Sequence, residues 1–142
     1  MTSTIYFPVR FTEIDLLGIV HHSNYPLWFE LGRRNLLEKG DISGYMMKEL
    51  GLALPLTDME CKFRYPAKYR DEITVTTRLA FVSCVKIGFE YTVKNRLNGK
   101  ILATGKTVHA WTDRSIKPLN IEKTAPDIYL KLKKLLEPEN TD

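Results

Sequence analysis

Between Asn24 and Lys39 the chain carries a helical repeat so apolar that other parts of the protein must wrap it. Tyr25, Trp28, Phe29, Gly32 and Leu36 fall at i, i+3, i+4, i+7 and i+11, and Leu27 and Leu31 broaden the stripe. Ser23 or Asn24 can cap the start, and Pro26 is tolerated in the first turn, where amides lack intrahelical partners. Lys39-Gly40 supplies a cation and a left-handed terminator at the end. Gly32 in the middle costs about 1 kcal/mol relative to Ala. The expected return is close approach of the helix to a sheet.

The cover has to come from strands, because most of the remaining chain alternates with period two. Ile5, Phe7, Val9 and Phe11 face one way and Tyr6, Pro8, Arg10 and Thr12 the other. Pro8 cannot donate a ladder hydrogen bond, which places this strand at an edge or at a bulge. A short second helix, capped by Ser43 and ended by Gly51, carries Tyr45, Met46, Met47 and Leu50. Residues 52–65 switch parity, from Leu52, Leu54 and Leu56 to Met59, Cys61, Phe63 and Tyr65, so a bulge is expected near Thr57-Asp58. Ile73, Val75, Leu79 and Phe81 mark one further strand, and Val85, Ile87, Phe89, Tyr91 and Val93 the next. Asn98-Gly99 predicts a tight hairpin into a last strand over about 100–112. Thr124-Ala125-Pro126-Asp127 has the spacing of a capping box for a C-terminal helix bearing Ile128, Leu132, Leu135 and Leu136. Helices segregated from a run of antiparallel strands define an α+β domain with a curved sheet around the long helix.

With 142 residues, 44% hydrophobic and 27% charged, the chain is expected to form one domain over 1–136, with a polar tail at 137–142. A net charge of +4 is too small an excess to mark a nucleic-acid arm, and the aromatic residues share the buried parity of the strands rather than an exposed stacking surface. No apolar run approaches the roughly 18 to 20 residues of a membrane helix, and Met1-Thr2-Ser3-Thr4-Ile5 lacks the regions of a signal peptide, so a cytoplasmic protein without membrane contact is expected. Cys61 and Cys84 stand alone without metal spacing and suit reduced, partly buried thiols. Neither a metal nor a redox cofactor is expected.

The unusual residues concentrate between the first strand and the long helix. Asp15 shares the parity of Ile5 through Phe11, so a persisting strand would turn its carboxylate toward the core. Gly18 allows a sharp turn after it. Seven residues beyond Asp15 the chain reaches the approach to the helix, whose unpaired amides and macrodipole form an anion site. A carboxylate facing such donors can attack a polarised carbonyl or activate water to do so. Asp is also a common turn residue, and the spacing alone leaves a capping role open. His21 and His22 are adjacent, so diverging side chains are expected, with no i, i+4 metal pair; either imidazole could assist proton transfer. Tyr25 could line a pocket or belong to the core, and Glu30 could pair with Arg33 or Arg34.

Asp15-Leu16-Leu17-Gly18-Ile19-Val20, then His22-Ser23-Asn24-Tyr25 and Trp28-Phe29-Glu30, resembles the signature of the 4-hydroxybenzoyl-CoA thioesterase family of hotdog-fold acyl-CoA thioesterases, including its YbgC-like members. The resemblance extends through Phe63-Arg64-Tyr65-Pro66-Ala67-Lys68-Tyr69-Arg70-Asp71-Glu72 and from Ala103-Thr104-Gly105 to Lys117-Pro118. It implies a hotdog fold, a five-stranded antiparallel sheet around the long helix, paired through the sheet into a homodimer or homotetramer with sites at the subunit interface. It also implies hydrolysis of an acyl-CoA thioester, with coenzyme A entering only as part of the substrate. Under it Asp15 matches the catalytic carboxylate, as nucleophile or general base, and the His22 backbone amide matches the donor to the thioester oxygen. Together the two readings name Gly18, Val20, His21, Tyr25, Glu30 and Lys86 as substrate-binding candidates. Lys62, Arg64, Lys68, Arg70 and Lys86 are available as a basic rim for CoA phosphates. The competing expectations are a hotdog hydratase or dehydratase, an acyl-carrier-protein thioesterase, and a non-catalytic acyl-CoA or acyl-carrier binding module.

Overall fold

A computed structural model describes residues 1–138; positions 139–142 of the expected polar tail lie outside the described residues. The apolar repeat forms helix α1 over Asn24–Lys39, burying Tyr25, Trp28, Phe29, Gly32, Leu36 and Leu37. Strand β1 (Thr2–Pro8) precedes it. After it come helix α2 (Gly44–Glu49), the short β2 (Leu52–Ala53), β3 (Leu56–Phe63), β4 (Glu72–Val82), β5 (Lys86–Asn95), β6 (Ile101–Ala110), the short β7 (Thr112–Asp113), and helices α3 (Ile121–Thr124) and α4 (Pro126–Leu136). Five strands form one antiparallel sheet in the order β1-β4-β5-β6-β3, while β2 and β7 pair separately. The α+β arrangement expected from the alternation is therefore present, with β1 and its Pro8 at one edge.

The helix lies so close to the sheet that side chains have been removed to admit it. A Cβ on Gly32 would collide with the Thr77 hydroxyl and stand 3.1 Å from the Val75 methyl. On β6, a Cβ at Gly105 would enter the Phe29 ring, which stacks on Tyr91 with centroids 4.5 Å apart. The parity switch in β3 is a bulge: its register on β6 slips between Leu56 and Asp58, and the Thr57 hydroxyl donates to the Val108 carbonyl at 3.1 Å. At the far edge of the sheet, β3 leaves Leu56, Met59 and Phe63 about half exposed, at 51%, 49% and 54%.

Several local expectations are corrected. Phe11 is exposed, because residues 11–13 wind into a single 3-10 turn that ends the strand alternation before Glu13. Gly40 has φ −86°, and the left-handed residue after α1 is Asp41 at φ 62°. Gly40 is needed for space instead, since a Cβ there would press on Leu135 of α4 at 2.7 Å. The hairpin between β5 and β6 has a longer loop than two residues: the Asn95 amide bonds the Lys100 carbonyl, and Gly99 supplies the positive φ of 73° near the loop's end. Thr124 caps nothing, because it closes α3, whose own cap is Asn120 accepting from the Lys123 amide. Leu27 and Leu31 are exposed, so the sheet of one chain covers a narrower arc of α1 than the stripe implies. Phe63 and Tyr65 are exposed too, against the expectation that the strand aromatics are buried.

Candidate active site

Beyond the 3-10 turn the chain doubles back. Ile14 pairs antiparallel with Val20, the Asp15 amide donates to the Ile19 carbonyl at 2.8 Å, and the Gly18 amide to the Asp15 carbonyl at 3.0 Å. Gly18 sits at φ 80°, a conformation that side chains disfavour, and lets the loop close. Asp15 Oδ1 accepts the Leu17 amide at 2.8 Å, so the carboxylate also serves the turn that presents it. The Val20 amide then donates to the Ala67 carbonyl at 2.8 Å, and Ile19 bridges to Lys68, tying the loop to the segment after β3.

At the entry to α1 almost every amide is taken. That of His21 donates to the Glu13 carbonyl at 2.9 Å, that of Ser23 to His21 Nδ1 at 3.2 Å, and that of Asn24 to the His21 carbonyl at 3.0 Å. Among the described residues the His22 amide has no acceptor. Ser23 does not cap the helix through its side chain; its hydroxyl meets His21 Nδ1 at 2.8 Å instead.

Asp15 and His22 both line one pocket of about 300 Å³ at the N-terminus of α1, together with Ile19, Val20, Tyr25, Phe63, Arg64, Tyr65 and Pro66. Tyr25 closes it from the helix side, its ring edge-on to Phe63 at 4.9 Å. Burial, aided by the neighbouring Cys61, pushes the Tyr25 phenol up to about 12, and burial pushes the Cys61 thiol up to about 11. Both stay protonated near neutral pH, so Tyr25 adds no charge to its side of the pocket.

Asp15, Val20, His22 and Tyr25 thus converge, whereas four other candidates stand outside the pocket lining. Gly18 shapes the loop. The His21 ring is held by Ser23, and it lies 4.1 Å from the His22 ring, centroid to centroid: the turn into the helix brings together side chains expected to diverge. Glu30 pairs with Arg34 at 3.6 Å and faces a larger hollow of about 530 Å³ between the end of β1 and the outer side of α1. Lys86 opens β5 opposite Ala110, seven residues along β6 from Ala103, the partner of Phe63; at about 3.3 Å per residue that is roughly 23 Å. No group of three or more metal-ligating side chains occurs among the described residues. Both cysteines are free thiols.

Two features escaped the sequence reading. Glu13, buried at 4%, accepts the Trp28 indole N–H and the Arg10 amide, both at 2.8 Å. Its signal was a charge on the apolar parity. The other is a buried chain beneath α1: Arg33 donates to the Tyr91 hydroxyl at 3.2 Å, Tyr91 and Thr107 hydroxyls lie 2.6 Å apart, and Thr107 meets His109 Nε2 at 3.0 Å. His109 Nδ1 stands 3.1 Å from the Leu54 carbonyl, which can only accept, so the proton is on Nδ1 and every bond in the chain runs one way. Burial, and next the Arg33 charge, depress His109 to about 4.

A five-stranded antiparallel sheet wrapped on one long helix, with a carboxylate loop at that helix's N-terminus, is the architecture of hotdog thioesterases. The family model described as "Thioesterase-like superfamily" matches residues 9–132, and the chain belongs to that superfamily. Among its relatives is a Bacillus subtilis (strain 168) protein named "Putative acyl-CoA thioesterase YneP", 30% identical over 130 residues, covering 89% of this chain and 94% of that one. A DHNA-CoA thioesterase from Staphylococcus aureus superposes with a TM-score of 0.88 at 25% identity, over 94% of this chain and 89% of that one. The hypothetical protein TT1821 from Thermus thermophilus superposes at 0.86 with 30% identity, over 97% and 100%. Among the described residues no helix is long and apolar enough to cross a membrane.

Proposed function

We propose that the chain is an acyl-CoA thioesterase of the 4-hydroxybenzoyl-CoA thioesterase type, with Asp15 as its reactive carboxylate and the His22 amide as its oxyanion donor. One observation carries this reading: Asp15 and His22, whose backbone amide has no acceptor among the described residues, line the same pocket at a helix N-terminus, with remaining walls that are largely apolar or uncharged. The thioester oxygen accepts the His22 N–H, and negative charge developing on it is favoured by the helix dipole. Asp15 then acts by one of two balanced routes. Its free oxygen attacks the carbonyl carbon, expelling the CoA thiolate and leaving an anhydride that water opens. Alternatively, it takes a proton from water, whose oxygen attacks, and the proton passes to the departing sulfur. An oriented amide of this kind is worth about 2.7 to 4 kcal/mol in the transition state.

The working unit of this proposal is a homodimer. β3 is an edge strand with half-exposed Leu56, Met59 and Phe63, a surface that isolated chains blunt and dimers cover. Antiparallel pairing of two β3 edges carries the far end of one sheet toward the pocket of the other. That is where Lys86 of a second copy, with Arg64 and Lys68 of the first, supplies cations for CoA phosphates. The acyl carrier is CoA in this reading because the Bacillus subtilis relative and the Staphylococcus aureus structure are named for CoA esters. Two Arabidopsis thaliana relatives at 26% identity are named for acyl carrier protein esters, which the acyl-CoA assay tests against.

A second reading has its own support: Asp15 Oδ1 already holds the Leu17 amide, as it would in a binding module whose carboxylate merely shapes the loop. The experiment that separates them is thiol release by Asp15→Asn across benzoyl-, short-chain and long-chain acyl-CoA. The enzyme reading expects at least a hundredfold loss of turnover in a protein of unchanged assembly and unfolding temperature. Full activity in this variant rules out Asp15 as the reactive group.

A further inference from the structure

We infer that Glu13 is a positioning residue for this reaction, holding the corner of chain that presents the His22 amide to the substrate; the inference rests on the Asp15–His22 reading. Glu13 accepts four hydrogen bonds. Oε1 accepts the Arg10 amide and Oε2 the Trp28 indole N–H, each at 2.8 Å, while its carbonyl accepts the His21 amide at 2.9 Å and the Asn24 side-chain amide at 3.0 Å. The side-chain bonds anchor Glu13 to the end of β1 and to the first turns of α1. Its carbonyl then fixes the residues on both sides of His22. Two residues onward lies Asp15, so one buried residue sets the spacing between carboxylate and oxyanion donor.

The carboxylate is chemically specific to this task. The Arg10 guanidinium lies 3.4 Å away but is largely in solvent, so that ion pair contributes little. What matters is that both oxygens must accept. Glutamine, with one oxygen and one NH₂, can satisfy only one of the two donors and sets N–H against N–H at the other. The resulting shift of the corner is small in distance and large in consequence, because misplacing a reacting group by about 1 Å can cost a hundredfold in rate.

The test uses the full chain and an acyl-CoA that the wild type hydrolyses, comparing Glu13→Gln, Trp28→Phe, the double variant and Asp15→Asn, with kcat, KM and thermal unfolding measured for each. Glu13→Gln is expected to lower kcat about 10- to 100-fold with KM little changed. In the Trp28→Phe background the glutamine NH₂ no longer meets a donor, so the same substitution should cost severalfold less, a coupling that general loss of stability does not produce. Wild-type kcat in Glu13→Gln alongside an inactive Asp15→Asn overturns the inference, as does a loss confined to KM or to unfolding temperature. If Glu13→Gln does not fold, Trp28→Phe alone decides: a fall in kcat at constant KM supports the positioning role, and unchanged kcat overturns it. An active Asp15→Asn indicts the functional reading beneath it instead.

Discussion

Replacing His109 by glutamine should remove much of the acid sensitivity of folding. His109 is 2% exposed, and its pKa is held at about 4 against an ordinary 6.5, chiefly by burial. Because the folded value is the lower one, protons bind the unfolded chain more readily. The neutral imidazole's contribution is full above pH 6.5 and drains away as pH falls toward 4. A gap of about 2.5 pKa units corresponds to about 3 kcal/mol once both states are protonated, and about 2 to 2.5 kcal/mol of it is lost between pH 7 and pH 4.5. The structure supplies the cause. Nδ1 already carries the proton donated to Leu54, so an added proton must occupy Nε2 and deprive the buried Thr107 hydroxyl of its acceptor. Urea unfolding of wild type and His109→Gln at pH 7, 6, 5 and 4.5 reads the effect. The variant starts less stable at pH 7, and the difference should shrink by that amount as pH falls. Parallel stability curves for the two proteins would refute the depressed pKa and the one-way chain together.

Other outcomes follow from the same packing. Gly105→Ala drives a methyl into the Phe29 ring, which cannot retreat from its stack on Tyr91, and should destabilise the fold by about 1 to 3 kcal/mol in denaturant titration. An unchanged midpoint would mean that α1 can lift from β6 freely. Met59→Lys adds a charge to the half-exposed β3 face, and sedimentation equilibrium should show a dimer in wild type shifting toward single chains in the variant. A wild-type mass of one chain would remove the two-chain site from the proposal.

The fold was largely legible because its strongest signals are local and periodic. The α1 repeat from Asn24 to Lys39 and the parity switch at Thr57 each translate directly into geometry, since a helix or strand displays its period regardless of what covers it. Gly32 was legible for the same reason, as an expensive residue in a helix that only a close neighbour explains. Errors gathered where two elements compete for a few residues. Gly40 reads as a left-handed cap by type, but packing against Leu135 decides its use, and Thr124 reads as a cap until α3 claims it.

For the site, the ingredients are readable in the chain alone: Asp15, a glycine three residues after it, and a helix that starts nine residues after it, whose chemistry is intrinsic to those groups. Which of them meet depends on how distant segments pack. Phe63 to Pro66 reach the pocket from a remote strand end, Glu30 and Lys86 are carried away from it, and His22 keeps an unpaired amide while its neighbours are paired. Those outcomes depend on contacts between distant segments, whose closure is set by the whole core rather than by any window of residues. Glu13 shows the division within one residue. Its charge on an apolar parity was visible in the sequence, but the two N–H groups that require a carboxylate there exist only once β1 and α1 have packed.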